Sequence, residues 1–181
     1  MTLPVTIEMI EDAAVQISGS VLHTPTIEAR RLGEHLGCSL QLKLENLQHT
    51  SSFKVRGSCV KLQGLTPSER ERGVVAMSAG NHAQGVAYHA ARLAIPATIV
   101  MAKTTPFSKV EHTRSHGARV LLEGLIFDEA KQYAMEVCER DNLTFLHPFD
   151  DPDIIAGQGT IALEMLAAQP DLDMLVVPIG G

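Results

Sequence analysis

The chain has 181 residues, of which 45% are hydrophobic and 20% are charged, proportions typical of a soluble globular protein with one domain or two small ones. Its net charge of −6 and its lack of a basic run argue against a nucleic-acid partner, which needs a basic face. The apolar runs are too short to cross a membrane, and the acidic N-terminus is not typical of a secretory signal. Cys38, Cys59 and Cys138 are widely spaced and odd in number, so we expect free thiols in a cytoplasmic protein.

Short apolar runs alternate with amphipathic stretches along the chain. In chain order, the pattern predicts helices at residues 6–17 and 27–36, a strand at 40–44, a helix from 54 to about 63, and a short helical link at 66–73. It then predicts strands at 74–77, 97–101, 119–122 and 144–146, alternating with helices at 81–93, 107–116 and 127–140. A helix at 157–168 and a strand at 174–179 complete the prediction.

This alternation predicts an α/β fold with two open parallel-sheet domains, each a sheet buried between two helix layers. The chain is expected to cross from one domain to the other near Thr66 and to cross back between residues 149 and 157. Residues 1–65 and 151–181 are predicted to form the larger domain, into which 66–150 are inserted as a smaller one. A strand followed by Gly180 and Gly181 is typical of the start of a phosphate-binding loop, so we expect the larger domain to be incomplete at Gly181.

Lys54 is a candidate amine nucleophile, because it follows two serines that could cap a helix at this point. A lysine can attack a carbonyl only when its pKa is lowered. The positive end of the helix dipole, the nearby Arg56 and partial burial beside Phe53 would all lower it. On this local pattern alone, a solvated lysine remains the more common interpretation.

The second candidate is the sequence Ser-Ala-Gly-Asn-His at 78–82, which follows an apolar strand and opens a helix. Backbone N–H groups at such a turn bind carboxylate or phosphate, and Gly80 permits a tight geometry. The carboxyl end of a parallel strand is also where open α/β sheets bind ligands. The alternative is that Asn81 is only a helix N-cap.

Two other motifs carry weaker signals. Gly-Gln-Gly-Thr at 157–160 has the spacing of a dinucleotide fingerprint, but a closely packed helix start is the better interpretation. His112 and His116 lie one helical turn apart, without the glutamate that a zinc-protease helix needs. We interpret both as surface histidines and predict no metal site.

The motifs together resemble the serine/threonine dehydratase family of pyridoxal-phosphate enzymes, which have the tryptophan-synthase-β-like fold, also called fold type II. The resemblance follows the chain in order: Lys-Leu-Glu-Asn-Leu-Gln at 43–48, Ser-Phe-Lys-Val-Arg-Gly at 52–57, Ser-Ala-Gly-Asn-His-Ala-Gln-Gly at 78–85, the segment at 109–118, Gly-Gln-Gly-Thr at 157–160, and Val-Pro-Ile-Gly-Gly at 177–181. It covers nearly the whole chain.

The resemblance implies a role for each motif residue. Lys54 would hold pyridoxal 5'-phosphate as a Schiff base, Phe53 would pack against the pyridine ring, and Asn81 would hydrogen-bond the phenolic oxygen. The substrate carboxylate would be received by the backbone N–H groups and hydroxyl of the loop Ser78, Ala79, Gly80, Asn81 and His82. Gly180 and Gly181 would begin the glycine-rich phosphate loop.

The implied reaction is the elimination of water from a small amino acid, followed by release of ammonia. Lys54 would remove the α-proton after the substrate amine displaces it, and the β-hydroxyl would leave. L-threonine would give 2-oxobutanoate, and L-serine would give pyruvate. The resemblance implies a homo-oligomer for the full-length protein, although the sequence alone leaves the oligomeric state open. It also leaves open both a biosynthetic role towards isoleucine and a catabolic role.

Position 79 separates this reaction from a related one. Serine racemases resembling the family have a serine there as a second base, whereas Ala79 cannot exchange a proton, which favours elimination. A racemase or a hydroxyaspartate ammonia-lyase of the same family remains an alternative. Two further alternatives are a non-catalytic α/β fragment and, if the motif at 157–160 is genuine, a nicotinamide-binding domain.

Overall fold

The structure is a computed structural model that describes residues 5–178, which form eight α-helices and six β-strands. Four strands form one parallel sheet in the spatial order β5-β4-β3-β6. Their bounds are β3 Val74–Met77, β4 Ala97–Met101, β5 Arg119–Leu122 and β6 Thr144–Phe145. The helices that connect them are α5 Asn81–Arg92, α6 Phe107–Ser115 and α7 Phe127–Arg140.

The strands of this sheet are buried on both faces, which explains their continuous apolar character. Val74 and Ala76 point to the side that α5 covers, whereas Val75 and Met77 point to the side that α7 covers. Strand β4 continues the same alternation, since Ile99 packs on the α5 side. The α/β class, the parallel sheet and its four strands were predicted correctly, with β6 one residue shorter than expected.

The N-terminal part of the chain adds helices and a small antiparallel strand pair. Helix α1 covers Ile7–Gln16 and α2 covers Arg30–Leu36, while β1 Thr26–Glu28 pairs with β2 Gln41–Lys43. Residues 45–47 form one 3-10 turn. Helices α3 Lys54–Gly64 and α4 Pro67–Arg72 follow, and the last helix is α8 Pro152–Ala168.

Helix α3 is packed between two other helices, α5 and α8. Its contact with α8 is unusually close: a Cβ added to Gly157 would lie 2.5 Å from the Cα of Gly57. Its contact with α5 depends on Gly85, whose added Cβ would lie 3.1 Å from the Lys54 carbonyl oxygen. Three glycines therefore let α3 sit within van der Waals contact of both neighbours.

Three predicted elements were wrong in type or extent. The helix predicted at 27–36 is a strand followed by the shorter α2, because the backbone at 26–28 pairs with β2. The helix predicted to begin at Gly157 begins at Pro152, where Asp151 accepts hydrogen bonds from the N–H groups of Asp153 and Ile154. The dinucleotide-like motif is consequently interior to a helix, and its first glycine serves the contact with Gly57.

The strand predicted at 174–179 is the third correction. Residues 174–178 adopt no regular secondary structure, because no strand among the described residues lies beside them to complete a hydrogen-bonded ladder. Ile179 lies outside the described residues. The second parallel sheet predicted for the larger domain is likewise not found in residues 5–178, where the other strand pair is antiparallel.

The domain boundaries remain predictions, although the whole parallel sheet falls within the predicted insert at 66–150. Helix α4 at the first boundary has a capping box, in which Thr66 and Glu69 bond to each other's backbone N–H. Cys38, Cys59 and Cys138 carry free thiols. Among residues 5–178, no helix has the length and apolarity needed to cross a bilayer.

Candidate active site

Lys54 is the first residue of α3, and its amine is partly withdrawn from water. Burial lowers the pKa of this amine, because desolvation penalises its charged form. The Nζ atom donates a hydrogen bond to the carbonyl oxygen of Pro148 at 2.8 Å and lies 5.4 Å from the centre of the Phe53 ring. This is the environment expected of a lysine that reacts with a carbonyl group.

The helix start at Lys54 differs from the prediction in one respect. The N-cap is Phe53, whose side chain makes no capping hydrogen bond. Ser52 still contributes, since its Oγ accepts a hydrogen bond from the Lys54 N–H at 3.3 Å. The Ser52 side chain therefore stabilises the backbone conformation at Lys54 through this hydrogen bond.

Arg56 does not lower the pKa of Lys54 by repulsion, as the sequence suggested. Its side chain is fully buried and points away into an ion-pair network. Burial opposes the charge of its guanidinium, but hydrogen bonds to Glu45 and Glu164 hold the pKa above its usual range. Because two carboxylates compensate this charge, burial is the cause of the shift at Lys54.

The network around Arg56 joins three elements far apart in sequence. The guanidinium binds both oxygens of Glu45 at 2.9 Å and both oxygens of Glu164 at 2.6 and 2.9 Å. It also donates to Thr160 at 3.0 Å, and Lys43 pairs with Glu164 at 2.5 Å. Two cations and two anions are thus paired in a largely buried site beneath the start of α3, where every charge needs a partner.

The loop 78–82 has the geometry of an anion-binding helix terminus. Gly80 is the N-cap of α5, with φ and ψ of −140° and −145°, and Asn81 is the first helical residue. The alternative role of Asn81 as N-cap is therefore wrong. The Oγ of Ser78 accepts from the Gly80 N–H at 3.1 Å, and a Cβ placed on Gly80 would meet open space. The first N–H groups of a helix have no intrahelical acceptor, so they are available to a ligand.

Helix α5 brings this loop towards Lys54. Asn81 is exposed at the helix start, and Gly85 lies one turn later on the same face, against the Lys54 backbone. Lys54 and the Asn81 end of α5 therefore border the same region. Ala79, half-buried beside Ser78, offers no proton-transferring group. These positions fit the roles that the sequence predicted, and the assignment of the roles remains a prediction.

Sequence reasoning missed the segment Leu146–Asp150, which we call the return segment because it leads from β6 back to α8. It supplies Pro148, the hydrogen-bond partner of Lys54 across 94 residues. It also supplies Leu146, whose carbonyl oxygen lies 3.1 Å from Nε2 of His82. Backbone carbonyls carry no side-chain signature, so the only clue in the sequence was the Pro148 turn before α8.

The histidine pair of α6 and the cavities of the structure lie away from Lys54. His112 is exposed and His116 half-buried, with ring centres 5.2 Å apart. Within residues 5–178, no three His, Cys, Asp or Glu side chains are placed to hold a metal ion. Two cavities of about 510 Å³ lie beside α2 and between β2 and α8, the second reaching Phe53 but not Lys54.

The residues present suit pyridoxal 5'-phosphate. A partly desolvated amine can condense with its aldehyde, and the Phe53 ring beside that amine offers an apolar surface. No atom lies within 4 Å of a Cβ placed on Gly80, so a carboxylate can approach the backbone there. Gly180 and Gly181, which were predicted to begin the phosphate loop, lie outside the described residues.

These features describe an α/β protein with a partly buried lysine beside an open helix N-terminus. Residues 17–181 match the family of pyridoxal-phosphate dependent enzymes, and the chain belongs to that family. It is 50% identical over 177 residues to an L-threonine ammonia-lyase of Thermotoga maritima, covering 98% of this chain and 44% of that protein. It is 43% identical over 173 residues to a catabolic L-threonine dehydratase of Staphylococcus aureus, covering 95% of this chain and 50% of that protein.

Solved structures show the same fold. A maize serine racemase superposes with a TM-score of 0.91 at 31% identity, covering 94% of this chain and 52% of that one. Threonine deaminase isoform 2 of Solanum lycopersicum gives a TM-score of 0.84 at 39% identity, with coverage of 92% and 47%. The chain spans about half the length of these relatives. The predicted family, fold type and cofactor are thereby confirmed.

Proposed function

We propose that the protein acts as a pyridoxal-phosphate-dependent ammonia-lyase that converts L-threonine to 2-oxobutanoate and ammonia, and also L-serine to pyruvate. The observation that carries the proposal is the partly buried Lys54 amine beside the anion-binding loop at 78–82. The names of the relatives support threonine as the substrate.

Each residue has a definite part in this proposal. Bound cofactor supplies an electron sink for the charge that develops at the substrate α-carbon. Lys54 holds the cofactor and then, as a free amine, takes the α-proton at its Nζ atom. The N–H groups at the start of α5 and the Ser78 hydroxyl bind the substrate carboxylate, which fixes the α-carbon near that nitrogen. Asn81 orients the cofactor ring through its short amide side chain.

Burial of Lys54 matters for both tasks. A protonated amine can neither condense with an aldehyde nor remove a proton, so a lowered pKa increases the reactive fraction at neutral pH. The Pro148 carbonyl oxygen accepts a hydrogen bond from the Lys54 Nζ atom. Because an N–H of the amine points at this oxygen, the nitrogen lone pair points away from Pro148. We propose that this leaves the lone pair directed towards the cleft.

The test compares 2-oxobutanoate release from L-threonine, with added cofactor, by the wild-type protein, Lys54→Ala and Lys103→Ala. Lys103 is an exposed lysine that forms a surface ion pair with Glu123, and it serves as the matched control. We expect the wild type and Lys103→Ala to release product and to show the visible band of bound cofactor, while Lys54→Ala does neither. Equal bands in all three proteins, or no release by the wild type, would contradict the proposal.

A second candidate is amino-acid racemisation, which the close superposition on a serine racemase favours. Ala79 opposes it, because racemisation requires a second proton-transferring group. Chiral analysis of serine after incubation separates the two reactions. We expect pyruvate to accumulate with no D-serine, whereas D-serine formation at a comparable rate would favour the racemase. Assembly as a homo-oligomer and location in the cytoplasm are part of the same proposal.

A further inference from the structure

The side chain of His82 is buried at the start of α5, although its backbone belongs to the anion-binding loop. It is 3% exposed, and its Nε2 lies 3.1 Å from the carbonyl oxygen of Leu146. Since a carbonyl can only accept, the proton is on Nε2. The Nδ1 atom is buried and has no partner among the described residues. The imidazole is therefore a neutral donor committed to Leu146.

Leu146 is the fixed end of the return segment. Its N–H donates to the Val75 carbonyl at 2.8 Å, and its carbonyl takes the hydrogen bond from His82. Inside the segment, the Asp150 N–H donates to Nδ1 of His147 at 2.7 Å. At the other end, Asp151 caps α8 and pairs with Lys61 of α3 at 2.8 Å. Hydrogen bonds and an ion pair thus fix both ends of the segment, and a further hydrogen bond within it restrains the middle.

Pro148 lies between these two ends and presents its carbonyl to Lys54 at 2.8 Å. Its ring fixes the backbone angle φ, which leaves ψ of Pro148 as the rotation that orients this carbonyl, and the anchors on either side of the segment restrict that rotation. Leu146 lies two residues before Pro148, and the His82 side chain anchors Leu146 at that end of the segment. A change at His82 would therefore move the oxygen that holds the reactive amine.

We propose that the His82 side chain is a positioning residue for Lys54: by binding the Leu146 carbonyl, it places the Pro148 carbonyl against the lysine amine. This inference rests on the proposed function of Lys54. It assigns no substrate contact to the imidazole, which is enclosed, neutral and already bonded through Nε2. Only the His82 backbone N–H remains for the substrate carboxylate.

The experiment uses two amides of different reach. His82→Gln places an NH₂ group where Nε2 stands, whereas the NH₂ of His82→Asn reaches only the position of Nδ1. Both variants are neutral at all relevant pH values. The glutamine keeps the bond to Leu146 and the asparagine loses it, so the pair isolates that bond.

Two quantities are measured for each variant: the rate at which added pyridoxal 5'-phosphate attaches to the protein, followed by its visible band, and the kcat and KM for L-threonine. We expect His82→Asn to slow attachment and kcat about tenfold or more, the effect of losing one buried hydrogen bond. Its KM should stay within about twofold of the wild type, since carboxylate binding is untouched. His82→Gln should restore both rates to within about threefold.

Three outcomes would overturn the inference: unchanged rates in His82→Asn, a raised KM with unchanged kcat, or no rescue by His82→Gln. Should His82→Asn fail to fold, Pro148→Gly replaces it, because it frees the carbonyl while the bond from His82 to Leu146 remains. That variant should show the same slowing, and wild-type rates would contradict the inference. A Lys54→Ala protein that still attaches cofactor would instead refute the proposed function.

Discussion

The two buried regions on either side of helix α5 are held together by different kinds of interaction. On the sheet side, α5 packs through Val86, Ala87 and Ala90 on an aliphatic core. On the other side lies α3, with close glycine contacts and the buried ion pairs of Arg56. The first region depends on apolar packing, whereas the second also depends on paired charges and on close contact between helix backbones. Lys54, the proposed reactive lysine, belongs to the second region.

The largest loss of stability is expected from a substitution that breaks the buried ion pairs. Arg56→Leu leaves Glu45 and Glu164 buried without their shared cation, which should lower the free energy of unfolding by about 3–5 kcal/mol. Urea unfolding measures this change in the free energy of unfolding. Arg140→Leu, which removes an exposed pair with the adjacent Asp141, is the control and should leave the midpoint unchanged. Equal stability of Arg56→Leu and the wild type would contradict the ion-pair account.

Acidification should weaken α5, the helix that both regions share. Burial lowers the pKa of His82 and of His89 to about 4, whereas both histidines titrate near 6.5 when unfolded. Between these values the unfolded chain binds protons that the folded chain does not, so the free energy of unfolding falls as the pH falls from about 6.5 to 4.

The loss should be roughly 3 kcal/mol for each histidine over that range. Urea unfolding at a series of pH values tests this, with His89→Gln as the comparison. The variant should show a shallower pH dependence, because one of the two titrating groups is gone. A stability independent of pH between 4 and 6.5 in the wild type would contradict the burial of both imidazoles.

A smaller effect is expected where α3 meets α8. Gly157→Ala would put a methyl group 2.5 Å from the Gly57 Cα, and separating the helices should cost about 1–3 kcal/mol. Gly64→Ala is the matched control within α3, since its added Cβ meets no atom within 4 Å. It should stabilise by about 0.5–1 kcal/mol. Similar changes in unfolding free energy for both variants would show that the helix contact is looser than described.

The smallest effect is expected in the aliphatic core. Ile99→Val removes one buried methylene from the centre of the sheet and should cost about 0.5–1.5 kcal/mol, with no change in cofactor attachment. Chemical unfolding and the visible band measure the two properties. A loss of cofactor attachment in this variant would mean that the two regions are coupled more tightly than their chemistry suggests.

The same contrast explains how much of the molecule the sequence predicted. The parallel strands were evident because double-sided burial leaves runs such as Val74–Met77 continuously apolar. The candidate lysine and the loop at 78–82 were evident because their motifs are local. Ile27 and Glu28 were predicted as part of a helix because the strand partner at 41–43 lies across an intervening helix.

The environment of the site could not be predicted from local pattern. Arg56 was expected to repel Lys54, but its partners are 11 and 108 residues away, and they neutralise it. Pro148 is 94 residues from Lys54 and acts through a backbone atom that every residue possesses. Gly157 resembled a nucleotide-binding glycine because close helix packing and close phosphate approach both require the absence of a side chain.

The central claim is that Lys54 alone carries the reactive amine, and borohydride reduction of the protein with bound pyridoxal 5'-phosphate, followed by peptide mass mapping, tests it most directly. The account predicts the reduced cofactor on the peptide that contains Lys54. Lys43 and Lys61 should remain unlabelled, because both amines are already engaged in ion pairs, Lys43 with Glu164 and Lys61 with Asp151 and Asp153. Labelling of either of these lysines in place of Lys54, or no covalent label at all, would contradict the account.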